Sequence, residues 1–266
     1  MSWFTTAFGP HYPVLYAHRD AAEARRAVAA VTALAPLGAG PVLDLGCGAG
    51  RHLATLAEAG VRVLGLDLSA SLVRQAARES EGLLPAPWLT RGDMRQLPLC
   101  CGSFTAVLSL FTAFGYFGAL PAHDGVVAEI SRVLRPGGHW FLDYLNCAEV
   151  RAQLRGQRAV RRQRRAGPLV IRETRRLRGP QVIKSVELRP AAGGEREAQA
   201  LGVPAAGLRY VEEVALFEIE ELDQLCARHA LRRVAEAGGY GHEALSAASA
   251  RWLLAYRRLE PEEEAR

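Results

Sequence analysis

Between residues 40 and 146 the chain alternates two hydrophobic periods. Short apolar runs predict strands at 41–45, 62–66, 87–90, 104–110 and 139–145. Between them, apolar residues three and four apart predict helices at 51–59, 70–79 and 122–134. Leu53, Leu56 and Ala57 share one face of the first; Ser69 stands where the second, carrying Leu72, Val73 and Ala76, wants an N-cap. Pro136-Gly137-Gly138 predicts a turn between the third helix and the fifth strand. Such alternation builds a parallel sheet with helices on both faces. Ahead of it, residues 1–39 read as mostly helical, with Ala21–Leu34 the clearest helix, and are expected to form a cap.

The alternation stops near residue 151. Pro168–Leu177 and Pro180–Arg189 alternate apolar and charged positions around Arg178-Gly179, the period of an exposed antiparallel hairpin. Gly207–Phe217 adds a third candidate strand, and 191–194 and 202–204 read as loops. A helix at 218–229 and strands near 231–237 and 250–257 then complete a seven-stranded, mostly parallel sheet with its last strand antiparallel. The expected class is α/β, in five segments: a helical cap (1–39), a core (40–150), an inserted antiparallel β-subdomain beside the acceptor site (151–210), a return to the core sheet (211–258) and a tail (259–266).

The turn after the first strand narrows the chemistry. Residues 42–50 read Val-Leu-Asp-Leu-Gly-Cys-Gly-Ala-Gly. Glycine lacks a Cβ and tolerates positive φ, so a ligand can approach bare backbone there. The helix that follows adds unpaired N–H groups and a partial positive charge. The spacing is not the dinucleotide fingerprint, because Arg51 stands where that pattern needs its third glycine, and no Gly-Lys-Ser/Thr follows for a P-loop. Asp44 would repel a pyrophosphate and suits a ligand with a cationic amine. S-adenosylmethionine (SAM) carries an ammonium and a sulfonium and no phosphate. Asp67, about 20 residues after the glycines, is placed to accept from ribose hydroxyls. Asp93 is placed to accept from an adenine amine, with Met94 against the ring. Asp44, Asp67, Asp93, Phe111 and Asn146 all fall at predicted strand ends, where ligands of such sheets bind.

With these residues in place, the chain resembles the class I SAM-dependent methyltransferases. Asp44–Gly50 match the glycine-rich motif, Asp67 the ribose-binding acid and Asp93-Met94 the adenine site. Phe111–Phe117 after the fourth strand and Arg132–Gly138 before the fifth match later pieces. Trp3-Phe4, Tyr12, Tyr16, His18-Arg19-Asp20 and Gly50-Arg51-His52 resemble one bacterial branch of small-molecule methyltransferases. The strong likeness covers 40–146, a weaker one 210–258. It implies a Rossmann-like fold, SAM as cofactor and S-adenosylhomocysteine (SAH) as product. The implied cofactor site is Asp44, Gly46, Cys47, Gly48, Gly50, Asp67, Leu68, Asp93, Met94, Phe111, Tyr16 and Arg19. Asp44 would meet the amine directly or through water, and Arg19 or Arg51 the carboxylate, a pairing that suits guanidinium. Tyr12 and Tyr16, four apart, share a helix face, either as core or as a lid.

Methyl transfer from SAM is an in-line displacement with an activated leaving group. Alignment is therefore the main task, and positioning contributes roughly 7–11 kcal/mol. A base is needed only where the acceptor must shed a proton early. His18 and Tyr116 are the candidate bases and Asn146, at the end of the fifth strand, a candidate acceptor-site ligand; His52, in the first turn of its helix, reads as structural. Phe111, Phe114, Tyr116 and Phe117 either pack or line the acceptor pocket. After the fourth strand stands Ser109-Leu110-Phe111-Thr112 instead of the Asn/Asp-Pro-Pro-Tyr/Phe of base-modifying amino methyltransferases. No Pro-Cys or Thr-Cys pair sits at that rim, and no divalent-metal cluster stands out. The reading is transfer to O or N of a small-molecule acceptor, without a metal.

Charge supplies the main alternative. The net charge is +5, and Lys184 is the only lysine among 33 basic residues, a bias that fits GC-rich coding. Twelve arginines and Lys184 crowd 151–189 against Glu173 and Glu187. An RNA-modifying methyltransferase using that hairpin is the alternative, but the segment carries no aromatic for stacking. A non-catalytic SAM-binding module is a third reading, disfavoured by the intact glycine loop and both acids. Cys47, Cys100, Cys101, Cys147 and Cys226 form no C-x-x-C pair and are expected to be reduced. No apolar run reaches a membrane span, and Met-Ser-Trp-Phe has no basic start or apolar signal core. The expectation is a cytoplasmic protein, monomeric or homodimeric, that engages no membrane.

Overall fold

The computed structural model describes residues 3–17 and 19–264. Helices α1 (Trp3–Ala7), α2 (Tyr12–Leu15) and α3 (Ala21–Leu34) come first. The alternating core follows as β1 (Val42–Leu45), α4 (Arg51–Glu58), β2 (Val63–Asp67), α5 (Ala70–Glu79), β3 (Trp88–Arg91), β4 (Phe104–Ser109), α6 (Pro121–Val133) and β5 (Leu134–Leu145). After α7 (Cys147–Leu154) come β6 (Val160–Ala166), β7 (Leu169–Arg178), β8 (Gln181–Pro190), α8 (Glu195–Ala200) and β9 (Leu208–Ala215). The chain closes with α9 (Ile219–Ala227), β10 (Leu231–Ala237), β11 (Arg251–Arg258) and α10 (Pro261–Glu264).

The first sheet has seven strands in the order β10-β11-β5-β4-β1-β2-β3, and β11 alone runs against the others. Its interior strands are buried on both faces, which is why they read as continuous apolar runs. Leu43, Leu45, Val107, Trp140 and Leu142 face α6 and α9 through Val126, Ile130, Leu222 and Leu225. Val42, Ala106, Leu108 and Phe141 face α3 and α4 through Val31, Leu53 and Leu56. Local capping agrees with this layout: Asp20 accepts from the Glu23 amide at 2.8 Å, and Ser69 from the Leu72 amide at 3.3 Å. The chain runs outward from β1 through β2 to β3, then returns to lay β4 on the other side of β1. Strand order therefore reverses between β1 and β4, and the crevice beyond their carboxyl ends is where ligands of such sheets bind.

Two features differ from the sequence expectation. Strand β5 begins at Leu134, so Pro136-Gly137-Gly138 lies within it. The turn survives as an irregularity in the ladder: Leu134 pairs with Phe104, while His139 already pairs with Ala106. Gly137 holds φ +74°, and a Cβ on Gly138 would stand 2.9 Å from the Arg135 and Thr105 carbonyl oxygens. The second difference lies inside the expected antiparallel insert, whose sheet has four strands, β6-β7-β8-β9, where three were expected. Strand β6, Val-Arg-Arg-Gln-Arg-Arg-Ala, is the one that pattern cannot reveal. It lies at a sheet edge, pairs only with β7 and is largely exposed, so no apolar alternation is demanded of it.

The inner face of the second sheet carries Leu169, Ile171, Val186, Leu188 and Tyr210, and these pack on Ala7 and Leu15. Helices α1 and α2 are thus backed by the inserted strands. On their other side Trp3 and Phe8 meet Tyr116, with ring centroids 5.3 and 5.6 Å apart, and Phe4 meets Phe117 at 6.1 Å.

Gly50 caps α4 with φ +89°, and a Cβ there would stand 2.9 Å from the Cβ of Ala76 in α5. Gly50→Ala is expected to destabilise the fold by about 2–3 kcal/mol, from strained backbone plus overpacking. Denaturant unfolding of the two proteins checks it; an unchanged midpoint would contradict this packing.

Candidate functional site

At the reversal of strand order lies a cavity of about 240 Å³. Of the residues expected from sequence, Gly46, Cys47, Gly48, Asp67, Leu68, Asp93, Met94, Phe111, Tyr16, Arg19 and Tyr116 line it. So do Tyr12, Arg51 and His52. Phe4 and Phe8 also line it, and neither was expected as a cavity residue; their only local mark is that they are aromatics in a short N-terminal helix and turn.

The glycines have different tasks. Gly46 holds φ +81°, and a Cβ there would stand 2.8 Å from the Cβ of Ala113. Gly48, at φ +57°, has nothing within 4 Å of such a Cβ, so its backbone faces open space. Its N–H donates to Asp67 Oδ2 at 2.9 Å, while the Ser69 N–H donates to Oδ1 at 2.8 Å. One carboxylate therefore bolts the glycine loop to the end of β2. Burial raises the Asp67 carboxyl above its ordinary range, and the two backbone donors oppose that. Lone pairs remain on both oxygens, so hydroxyl donors from a ligand would complete the group.

Gly50 and Asp44 stand behind the loop, off the cavity lining. Asp44 lies within β1's buried run at 1% exposure, and its Oδ2 has no hydrogen-bond partner. Burial pushes its carboxyl up to about 7; Arg51 opposes the rise and Asp67 adds to it. A buried carboxylate oxygen without a partner is rare and is completed by a cationic donor.

Cationic groups gather around Phe111. The guanidinium carbon of Arg19 lies 3.3 Å from the Phe111 ring centroid and that of Arg51 4.9 Å. Glu23 pairs Arg51 at 2.7 Å and Arg19 at 3.8 Å. Arg19 Nε and Arg51 Nη2 stay buried with no hydrogen-bond partner, donors suited to a carboxylate. His52 is buried and pushed down to about 3 by desolvation, which keeps it neutral. Burial raises the Cys47 thiol, so it stays protonated.

Asn146 is the expected site residue that the structure places elsewhere; Asp93 and Tyr116 line the cavity but with their polar groups constrained. Asp93 does not offer an open carboxylate: Arg95 Nε reaches its two oxygens at 3.0 and 3.2 Å, Nη2 reaches Oδ2 at 2.6 Å, and the Arg95 N–H reaches Oδ1 at 2.9 Å. That pairing holds its carboxyl below the usual range. Asn146 is not at the cavity. It caps α7, accepting from the Ala148 and Glu149 amides, and its amide donates to the Ser246, Ala247 and Ser249 carbonyls. Every polar group it has is used in joining α7 to the segment before β11. Tyr116 lines the cavity, but burial raises its phenol well above the ordinary value, so it stays protonated and cannot serve as a ready base. His18 lies outside the described residues. Among those residues, no group of three or more His, Cys, Asp or Glu is arranged to hold a metal, and no helix is long and apolar enough to cross a membrane.

Sequence pattern also did not reveal what holds Tyr16. Lys184 Nζ donates to its hydroxyl at 2.8 Å, and lies 3.1 Å from Glu173 and 3.2 Å from Glu212. Desolvation alone would lower the Lys184 ammonium; the carboxylates of Glu212 and Glu173, with Tyr16, raise it instead. The link joins β7, β8 and β9 to a cavity wall.

A family model for the methyltransferase domain matches residues 42–138. A demethylmenaquinone methyltransferase from Beutenbergia cavernae is 40% identical over 105 residues, 38% of this chain and 40% of that protein. A dTDP-3-amino-3,4,6-trideoxy-alpha-D-glucopyranose N,N-dimethyltransferase from Streptomyces venezuelae is 34% identical over 100 residues, 38% of this chain and 40% of that one. The match thus spans well under half of each relative. The solved CcbJ methyltransferase from Streptomyces caelestis superposes with a TM-score of 0.78, covering 96% of this chain and 99% of its own; at 19% identity it speaks to the fold alone. Both sheets together are consistent with that fold. Residues 42–138 match the family model of a methyltransferase domain, and the chain as a whole shares the fold of that solved methyltransferase.

Proposed function

We propose that this protein transfers the methyl group of SAM to an O or N atom of a small-molecule acceptor. The observation that carries the reading is the buried, unpartnered Asp44 carboxylate behind a glycine loop locked by Asp67, with two arginines lining the adjoining cavity. Asp44 meets the ammonium, Arg19 and Arg51 the carboxylate, Asp67 the ribose hydroxyls, and Met94 the adenine face. When bound, SAM supplies a methyl on a sulfonium: the acceptor's lone pair bonds to that carbon as the carbon–sulfur bond breaks, its electron pair passing to sulfur. The chain's own contribution is alignment. Phe4, Phe8, Tyr116 and Phe117 form an aromatic wall supplied by α1, the turn after it and the β4–α6 segment, suited to an apolar or flat part of the acceptor. The relatives' printed acceptors, a menaquinone precursor and an amino sugar nucleotide, are both small molecules.

The RNA alternative gains nothing from the site. None of the arginines of 151–189 lines the cavity, and Arg172, Arg178 and Arg189 are engaged with Glu187 or Glu213.

Calorimetric titration of SAM and SAH tests the reading, followed by turnover with quinol and amino-sugar acceptors. Binding of both ligands and formation of SAH are expected; no binding by the wild-type protein would overturn it. The same titration carries a pH signature. The ligand's ammonium needs Asp44 ionised, and Asp44 titrates near 7. Affinity should therefore fall by up to about tenfold per pH unit below that point and level off above it. Asp44→Asn should flatten the profile. Free of ligand, the variant should be more stable than wild type at pH 8, because the raised carboxyl binds its proton more tightly folded than unfolded and its ionisation opposes folding above that range.

A further inference from the structure

We propose that Asp143, Tyr240 and Arg251 are positioning residues that set the carboxylate end of the cofactor site through Phe111. The inference rests on the SAM-binding reading above. It starts from the backbone. Phe111 and Thr112 hold φ +59° and +60°, two successive residues in the left-handed region without a glycine. Such a pair persists only where its surroundings over-determine it. Here they do: the Phe111 N–H donates to Asp143 Oδ2 at 2.8 Å, and the Thr112 N–H to the Asp143 carbonyl at 3.0 Å.

Asp143 is fully buried on β5 and is itself fixed from the neighbouring strand β11 and the segment before it. Tyr240 donates its hydroxyl to Oδ2 at 2.6 Å, and Arg251, on β11, pairs with Oδ1. Arg251 Nη2 also donates to the Thr112 hydroxyl at 2.7 Å, closing the ring of contacts. The turn delivers the Phe111 ring to the cavity, and the Arg19 guanidinium stacks on it at 3.3 Å, with Arg51 at 4.9 Å. The ring spaces and orients the two groups whose buried nitrogens lack partners. None of the three positioning residues lines the cavity, so they act on a ligand through this turn and its ring, over which the Arg251 guanidinium also lies, 5.4 Å from the Phe111 centroid.

The consequence is selective. Damage to the network should weaken ligands that carry the methionine carboxylate and spare those that lack it. 5′-Methylthioadenosine keeps the adenine and ribose of SAH but has no amino-acid end, so the pair separates a positioning effect from a general loss of structure. Tyr240→Phe removes one hydroxyl and leaves the Asp143–Arg251 pair intact; Phe111→Leu keeps the turn and removes the stacking ring. Each is titrated with SAH and with 5′-methylthioadenosine well below its melting temperature, with Asp143→Asn added where it folds. Tyr240→Phe is expected to weaken SAH by about fivefold to tenfold. Phe111→Leu should do at least as much, with 5′-methylthioadenosine unchanged in both. Equal loss of both ligands, or unchanged SAH affinity with only a lower melting temperature, would overturn the proposal and leave the network a structural clamp. Wild-type protein that binds neither ligand would overturn the SAM-binding reading itself.

Discussion

Asp67→Ala is expected to reduce affinity for SAM and SAH by about 100- to 1000-fold. The carboxylate has two tasks, and alanine removes both. Toward the protein it accepts from the Gly48 and Ser69 amides at 2.9 and 2.8 Å. Toward a ligand it offers the remaining lone pairs to ribose hydroxyls. Hydrogen bonds to a charged group contribute about 1.5–3 kcal/mol each, and about 1.4 kcal/mol is a factor of ten, so two lost bonds at the lower end of that contribution account for the expected loss. The Gly48 amide, left without its acceptor, releases a loop whose backbone must present a fixed surface. Asp93→Ala is the informative comparison. Its oxygens are already committed to Arg95, so its removal should cost roughly tenfold or less. Calorimetry on both variants decides: equal losses would show that Arg95 yields Asp93 to the ligand, and a loss under about tenfold for Asp67→Ala would show that its carboxylate does not face the ribose.

Lys184→Met should lower folding stability by about 3–5 kcal/mol, the cost of leaving buried charge without its partner. Lys184 and Glu173 are 7% and 8% exposed, so water does little of the screening. Methionine fills much of the volume but leaves the Glu173 and Glu212 carboxylates facing each other without a cation. Their protons would then be held more tightly in the folded than in the unfolded state. The deficit should therefore be present at neutral pH and shrink as the pH falls and the carboxylates are neutralised. Lys184→Met combined with Glu173→Gln and Glu212→Gln should recover much of the loss. Urea unfolding at pH 7.5 and pH 5 measures both effects; a deficit independent of pH and of the glutamates would mean that packing, not charge, is what Lys184 supplies. Because Lys184 also donates to Tyr16 on the cavity wall, the variant should weaken cofactor binding too.

The parts of the fold that were legible share one physical cause. Strands buried on both faces read as near-continuous apolar runs, as β1 shows with Val42, Leu43 and Leu45 around its one polar residue, Asp44, and amphipathic helices must repeat near 3.6. Capping by Asp20 and Ser69 is local as well, since donor and acceptor lie three residues apart. Strand β6 failed the same logic because an exposed edge strand has no buried face to impose a pattern.

At the site, the division falls between spacing and partnership. The order Asp44, glycine loop, Asp67 and Met94 is dictated along the chain, because each sits at the end of a strand whose place the hydrophobic pattern sets. What each carboxylate does depends on its neighbours. Asp93 and Asp67 look alike in sequence; one is occupied by the arginine two positions on and the other locks a glycine amide 19 positions back. Asn146 stands at a strand end like the others, yet its amide is consumed by carbonyls about 100 residues away. The sequence by itself determined the α/β class, the glycine loop and the spacing of the acids around it, because these rest on short-range periodicity and local backbone freedom. Only the tertiary structure decided that the inserted sheet braces the N-terminal helices over the cavity, that Lys184 reaches Tyr16, and that Asp143 pins Phe111. Those contacts join residues 32 to 168 positions apart, and no local propensity encodes a hydrogen bond that exists only after the sheets have packed.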